Sequence, residues 1–574
     1  MRSVTQLNER WFYLPADTPN RRPPRFRDKT WQEVELPHRP EEGFPGRYWY
    51  CKALQLERMP GERLYLRVDS PGANCRVFVG AYEIEKLRAG MVHMVELTQY
   101  HKRGRALMIS FRFRGAEDKA VGGFPRGISL YSLPQSHFSF DSKGELGVSI
   151  ATEFGENGSA KVKVSAAVQK PAEGQKISFA IGGPRVSVPV AVPAAEFAIP
   201  RPRLWSYGDP FLYTLRAILN HQDGTHLDTV DVPFGVRALK LTPNEALWNG
   251  VNMPLHGVLR HGGAFEAALE PEKEIALLRG LGADTITLTG TPEREAYYSA
   301  CDAAGLRVFQ TLGGLKGFKN RKDGLDAAKK LVFRLINRAC IAGWAIDADG
   351  EDDSSLRALC ELVRHADSRP IILLNRSLEE LRGSGEQIGD GAAVCIQSKS
   401  DWDALDKLRA KKPKLILGVA QTKGIIDADF IKALSIRPWC GVFGAARLYE
   451  ENNKAALLSA KNEPEDAYYL LRAAWSVSPA AKDGEGAAAK AHTPQSNLPP
   501  APSFVRIAAA DPAHPKRVTV YSNAAEVTLS VNGKKAGTQK GGGIFIFEGI
   551  KLKDGVANQL LATAGDATHA RVFK

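Results

Sequence analysis

Near Leu255 the hydrophobic periodicity of the chain changes, and that change constrains the fold more than any other feature. Before it, apolar and polar residues alternate in short runs such as RYWYCKALQL, RLYLRVDS, RVFVGAYEI and ALMISFRFR, with Gly, Pro and Asp between them. Period-two alternation of this kind reads as half-buried β-strands. After it, helical patterns (PEKEIALLRGLG, PEREAYYSACDAAG, DAAKKLVFRLINRA, SSLRALCELVRHA) alternate with short apolar runs: LHGVLR, TITLT, LRVFQTL, IAGWAI, PIILL, AAVCIQ, KLILGVA and WCGVFGA. Parallel strands need helical crossovers, so eight such runs predict a (β/α)8 TIM barrel.

At 574 residues the chain exceeds what one hydrophobic core can hold. The fold class expected is multidomain β plus α/β. A jelly-roll β-sandwich is placed over 1–137, an immunoglobulin-like β-sandwich over 138–242 and a trimmed barrel over 243–479. An Ala/Pro/Gly-rich linker follows over 480–502, then a C-terminal immunoglobulin-like β-sandwich over 503–574 with an Asn532-Gly533 turn. The barrel segment is short for its class, which implies short βα loops.

The seven cysteines are scattered, with no metal-ligand spacing, so neither disulfides nor a structural metal is expected. No cofactor is expected either. No apolar run reaches the roughly 20 residues of a membrane span, and MRSVTQLNERWFYLP lacks the apolar stretch of a signal peptide, so a cytoplasmic location is expected. The net charge of +13 allows an acidic partner. The basic clusters Lys316 to Lys330 and Arg409 to Lys414 lie in helical segments without interleaved aromatics, which reads as solvated helix faces rather than a nucleic-acid surface.

Specific motifs add to this. WQEVELPHRP (Trp31 to Pro40), RYWYCK (Arg47 to Lys52), GGFPRGISL (Gly122 to Leu130), PRLWSYGDPFLYTL (Pro202 to Leu215), FGVR (Phe234 to Arg237) and Asn249-Gly250 occur in this order. Together with RVTVYSNAAEVTLSVNGKKAG near the C-terminus they resemble the family 2 glycoside hydrolases, the group of β-galactosidases, β-glucuronidases and β-mannosidases. The resemblance implies retaining hydrolysis, which needs two carboxyl groups about 5 Å apart at the C-terminal ends of barrel strands.

By that resemblance the acid/base position, the Glu of W-S-L-G-N-E, falls on Asp349 in Trp344-Ala345-Ile346-Asp347-Ala348-Asp349. The nucleophile position falls on Gly418, which has no carboxylate. Other pocket positions also depart: Leu259 and Gly262 flank the retained Arg260-His261, and Ala445 stands where the family has a pocket-floor Trp. Arg260, His261, Trp344 and Asp347 are the candidate substrate-binding residues. For Arg260 two readings stay open, a pocket wall or a buried ion pair with a carboxylate such as Asp347. The acidic run Asp347 to Asp353 does not have calcium-loop spacing and reads as a turn capping the next helix, with Asp353 or Ser354 as N-cap.

The resulting reading is a family 2 glycosidase-like protein with catalytic carboxylates not intact, acting as a non-catalytic carbohydrate-binding or assembly component. Its expected partner is a carbohydrate, acidic if the charge is functional. The alternatives are an active retaining exo-β-glycosidase with rearranged acids and a structural subunit of a homo-oligomer.

Overall fold

The computed structural model describes residues 2–15, 23–24, 30–40, 47–56, 61–102, 104–114, 122–140, 144–154, 158–242, 246–252, 255–262, 269–290, 292–377, 379–380, 388–396, 399–409, 415–420, 442–444, 447–449, 456–459, 461–476, 503–511 and 514–573. The expected linker 480–502 and Ala445 lie outside the described residues.

The first unit is a sandwich of two antiparallel sheets. One has six strands in the order Gln32–Val34, Trp11–Leu14, Arg47–Leu54, Leu107–Arg114, Cys75–Val79 and Tyr82–Leu87. The other has four, in the order Ser3–Gln6, Ile128–Leu133, Arg63–Asp69 and Val92–Glu96. Alternate residues of these strands meet in a core that includes Trp11, Tyr50, Phe111, Phe113 and Phe124. A second sandwich packs the sheet Val148–Phe154, Ala160–Ala166, Ala194–Ile199 against Arg185–Pro189, Lys176–Ile181, Tyr213–Asn220, His226–Phe234.

The barrel strands are β1 (Gly257–Gly262), β2 (Thr285–Gly290), β3 (Arg307–Thr311), β4 (Ile341–Asp347), β5 (Ile371–Arg376), β6 (Gly391–Ile396), β7 (Leu415–Ala420) and β8 (Val442–Gly444). Each pairs in parallel with the next. A short β9 (Arg447–Tyr449) pairs in parallel with β1, so the segment carrying β8 and β9 joins the two ends of the sheet. Ile341 to Ile346 are all buried, as befits strands covered on both faces. The described helices are α1 (Pro271–Leu281), α2 (Glu295–Ala304), α3 (Arg321–Leu335), α4 (Asp353–Ala366), α5 (Lys399–Arg409) and α6 (Asp466–Ser476). None of them is long and apolar enough to cross a membrane.

The sharpest sequence motifs turn out to join the second sandwich to the barrel. Trp205 is fully buried and its Nε1 donates to the Asp302 carbonyl on α2 at 2.8 Å. Gly305, in the left-handed conformation that ends α2, leaves no room for a side chain: a Cβ there would lie 2.3 Å from the Ser206 carbonyl oxygen. Arg237 of FGVR donates to the carbonyls of Ala339, Arg338 and Ile341 at the entry to β4. Burial, with Arg369 adding to it, pushes the Arg237 guanidinium down to about 10.

The C-terminal sandwich (Val505–Ile507, Val518–Ser522, Gly543–Phe547 against Lys534–Lys540, Glu526–Val531, Asn558–Ala564, Ala567–Phe573) docks on α6 through Asp466. That carboxylate accepts from Arg506 at 3.0 Å, Arg571 at 2.8 Å and the Ala509 amide at 2.7 Å. Burial alone would raise the Asp466 carboxyl, but the Arg571 and Arg506 contacts outweigh it and hold it below its ordinary value. A depressed carboxylate contributes stability above the unfolded-chain value of about 3.9 and loses it as pH falls through the folded value. Protection of the Val505–Ile507 amides, taken relative to the intrinsic exchange rate at each pH, is therefore expected to fall as the pH drops below about 4, and Asp466→Asn should flatten that dependence.

Candidate functional site

The C-terminal ends of the barrel strands carry the residues that the resemblance singles out, and strand alternation decides which of them reach the mouth. On β1, Arg260 turns outward between strand and helices. Its Nε donates to Glu274 of α1 at 2.6 Å and its Nη1 to Glu293 at 2.5 Å, and its guanidinium lies 4.5 Å from the Tyr297 ring centre. Tyr297 Oη in turn donates to Glu274 at 2.6 Å. Burial would lower Arg260, but Tyr297 and the two carboxylates outweigh it and hold it well above the usual guanidinium value. Of the two readings of Arg260 the ion pair is the correct one, with Glu274 and Glu293 rather than Asp347 as partners.

His261, the next residue, is exposed, faces the mouth and has its Nδ1 3.3 Å from Thr289 Oγ1 on β2. Gly290 gives this ring its room, since a Cβ there would come within 2.5 Å of the imidazole.

On β4, Trp344 is fully buried, donates from Nε1 to Asp367 at 2.9 Å and lies under the Arg369 guanidinium at 5.4 Å. It anchors the entry to β5 and does not line a substrate pocket, contrary to expectation. Asp347, at the strand end, accepts from Asn375 Nδ2 at 2.8 Å and from the Asp349 amide at 3.2 Å. Asn375 reaches it by adopting a left-handed backbone, φ 59°, as β5 ends. Asp349 stands on the exposed turn that follows, with Gly350 at φ 67°.

The acidic run is a turn that also clasps its neighbour. Glu351 accepts from the Lys316 amide at 2.7 Å and so ties the loop after β4 to the loop after β3. The N-cap of α4 is Asp352, which accepts from the Ser355 amide at 2.8 Å, one residue earlier than Asp353. Among the described residues, no three His, Cys, Asp or Glu side chains converge as a metal site. Cys51, Cys75, Cys301, Cys340 and Cys360 are buried free thiols.

Across the barrel, Gly418 sits in β7 between Val394 of β6 and Val442 of β8. Leu415–Ala420 offers no ionisable side chain at all. The described carboxylates at the strand ends that are not engaged by arginine include Asp347, at the end of β4, and Asp349, on the turn after it. A cavity of about 850 Å³ opens beside His261, Gly290 and Thr311, at the ends of β1 to β3, and runs outward between α3 and residues 86–92 of the first sandwich. That second wall has no signature in the sequence, because Arg88 and its partner Asp323 lie 235 residues apart.

Residues 134–237, the second sandwich with its Trp205 and Arg237 anchors, match the family model for glycosyl hydrolases family 2. The match covers this one unit of the chain. A β-glucuronidase of Bacteroides fragilis is 27% identical to this chain over 342 residues, 52% of the chain and 49% of the relative. A β-galactosidase of Thermoanaerobacter pseudethanolicus is 23% identical over 64% of the chain and 55% of its own length. The chain thus spans about half the length of these curated relatives. Among solved structures, an FMN-binding β-glucuronidase from Faecalibacterium prausnitzii superposes with a TM-score of 0.80 at 21% identity, covering 100% of this chain and 98% of that one. A Bacteroides uniformis β-glucuronidase gives 0.78 at 16% identity, over 100% of this chain and 80% of that one. The arrangement of β-sandwiches with a parallel α/β barrel is shared with these solved structures.

Proposed function

We propose that this chain is a family 2 glycoside hydrolase-like protein that holds a carbohydrate at the C-terminal mouth of its barrel and does not cleave it by the retaining, double-displacement route. One observation carries the reading: at the position where the resemblance puts the attacking carboxylate, β7 has Gly418 flanked by Val394 and Val442. Double displacement requires a covalent glycosyl ester on a carboxylate about 5 Å from the proton donor, and β7 has no group on which to form it. Asp349 supports the same reading, being one methylene shorter than the glutamate it replaces, on an exposed turn. A proton donor displaced by about 1 Å loses on the order of 10²-fold in rate.

The mouth keeps what binding needs: a cavity within the range ligands use, about 300–1,000 Å³, with His261 and Thr311 among its lining residues. Among the described residues, a glycosidase with rearranged acids would have Asp347 and Asp349 to work with. The two are neighbours, at the end of β4 and on the turn directly after it, whereas the two required carboxyls flank the sugar from opposite sides.

The test is covalent trapping. An electrophilic cyclitol aziridine, in glucuronide- and galactoside-configured forms, esterifies the nucleophile of a retaining glycosidase. Intact-mass measurement after overnight exposure is expected to show the unmodified chain. A one-to-one adduct mapping to the barrel would overturn the reading.

A further inference from the structure

The outer half of the cavity is not explained by the barrel mouth. One wall is residues 86–92 of the first sandwich; the other is the α3 face that carries Asp323, Ala327, Lys330, Leu331 and Arg334. These positions recur at intervals of three and four, so they form a single stripe of the helix. Six cations line the cavity as a whole, against the carboxylates Glu145 and Asp323.

The cations divide into two groups. The three arginines are engaged: Arg76 with Glu83 at 2.7 Å, Arg88 with Asp323, and Arg334 with Glu295 at 2.8 Å and the Glu293 carbonyl at 2.9 Å. The three lysines, Lys86, Lys319 and Lys330, are exposed and have no carboxylate within 4.0 Å among the described residues. Lys330 lines the gap opposite residues 86–92 of the sandwich, and its charge acts on Glu85 and His93 there. His93 is held down to about 4, chiefly by burial and in part by Lys330, so it stays neutral and adds no charge of its own near neutral pH.

We propose that this crevice binds a saccharide through a tetrahedral oxyanion ester, a sulfate or a phosphate, held by Lys86, Lys319 and Lys330. A planar carboxylate is matched best by the guanidinium fork, and each of the three guanidiniums here already holds a carboxylate. An ammonium is a compact point charge with three rotatable donors, and three of them on opposite walls suit an oxyanion that presents oxygens in several directions. The inner end of the crevice opens at His261 and Gly290, so a sugar in the barrel mouth could extend its ester-bearing neighbour into the lysines. The inference rests on the reading above in taking the ligand to be a saccharide, and goes beyond it in naming the ester and the second site.

Calorimetric titration of the full chain at 50 and 200 mM NaCl would compare chondroitin 4-sulfate hexasaccharide with unsulfated chondroitin hexasaccharide, which has the same uronates, and with 6-phosphorylated maltohexaose. One ester form is expected to bind at least tenfold more tightly than unsulfated chondroitin and to weaken at the higher salt; whichever it is identifies the oxyanion. The surface variant Lys86→Gln/Lys319→Gln/Lys330→Gln, with its circular dichroism unchanged, is expected to lose at least tenfold in that affinity. Equal affinity for sulfated and unsulfated hexasaccharide, or a lysine variant that binds normally, would overturn the oxyanion site while leaving a glycan at the mouth intact. Inorganic sulfate or phosphate binding as tightly as the esters would overturn the saccharide itself, here and in the reading above.

Discussion

Arg260→Ala is expected to destabilise the barrel by about 3–5 kcal/mol, the usual result of removing one partner from a buried ion pair. Glu274 is fully buried and Glu293 nearly so, and both lose their counter-charge at once. Arg260→Lys should recover only part of the loss, because an ammonium cannot bridge two carboxylates as the guanidinium does. The variant Arg260→Met/Glu274→Gln/Glu293→Gln, which leaves no uncompensated charge, is expected to be markedly more stable than Arg260→Ala. Urea unfolding followed by circular dichroism reads all three. An Arg260→Ala protein that unfolds at the wild-type midpoint would contradict the ion-pair assignment.

The second large effect is expected at Trp205. Its indole fills the seam between the second sandwich and the barrel, with the Trp248 ring centre 5.8 Å away and Gly235 packed against its Cβ. Trp205→Ala removes the largest side chain of that seam and leaves the Asp302 carbonyl without its donor. A loss of about 3–5 kcal/mol follows from the cavity alone. Trp205→Phe keeps most of the apolar volume but still orphans the carbonyl, so it should fall between, at about 1–3 kcal/mol. With the seam opened, unfolding is expected to separate into two transitions. A single transition in Trp205→Ala at the wild-type midpoint would show that the seam does not couple the two units.

These residues also show what could and could not be read from the sequence. The eight barrel strands were legible because each is a continuous apolar run bounded by helical periodicity, and only strands covered on both faces look like that. The hairpin at Asn532-Gly533 was legible because both residues take positive φ, 50° and 79°, which few other residue pairs tolerate. Arg260 was ambiguous for a physical reason: Glu274 and Glu293 lie 14 and 33 residues away, and no spacing rule links a strand to the helices that cover it.

Trp344 could have been placed correctly. It precedes Asp347 by three residues on one strand, and such residues point to opposite faces, so both could not line the mouth. The α4 cap was off by one because Asp352, Asp353 and Ser354 are all competent caps, and helix starts carry that ambiguity. The wall built by residues 86–92 was invisible, since it arises from packing between units far apart in the chain.

The central proposal is that the chain does not cleave by the retaining route, since among the described residues the barrel mouth has no paired carboxylates of a retaining glycosidase. Its most direct test is release of aryl alcohol from a panel of aryl β-glycosides (galactoside, glucuronide, mannoside, glucoside), comparing the wild type with Asp349→Ala and following the reaction to very low turnover. The account predicts that the two proteins are indistinguishable on every substrate and that neither exceeds the uncatalysed rate by more than the small factor that binding alone supplies. Sustained turnover by the wild type that Asp349→Ala abolishes would contradict it, and would mean that a second carboxylate faces Asp349 across the mouth.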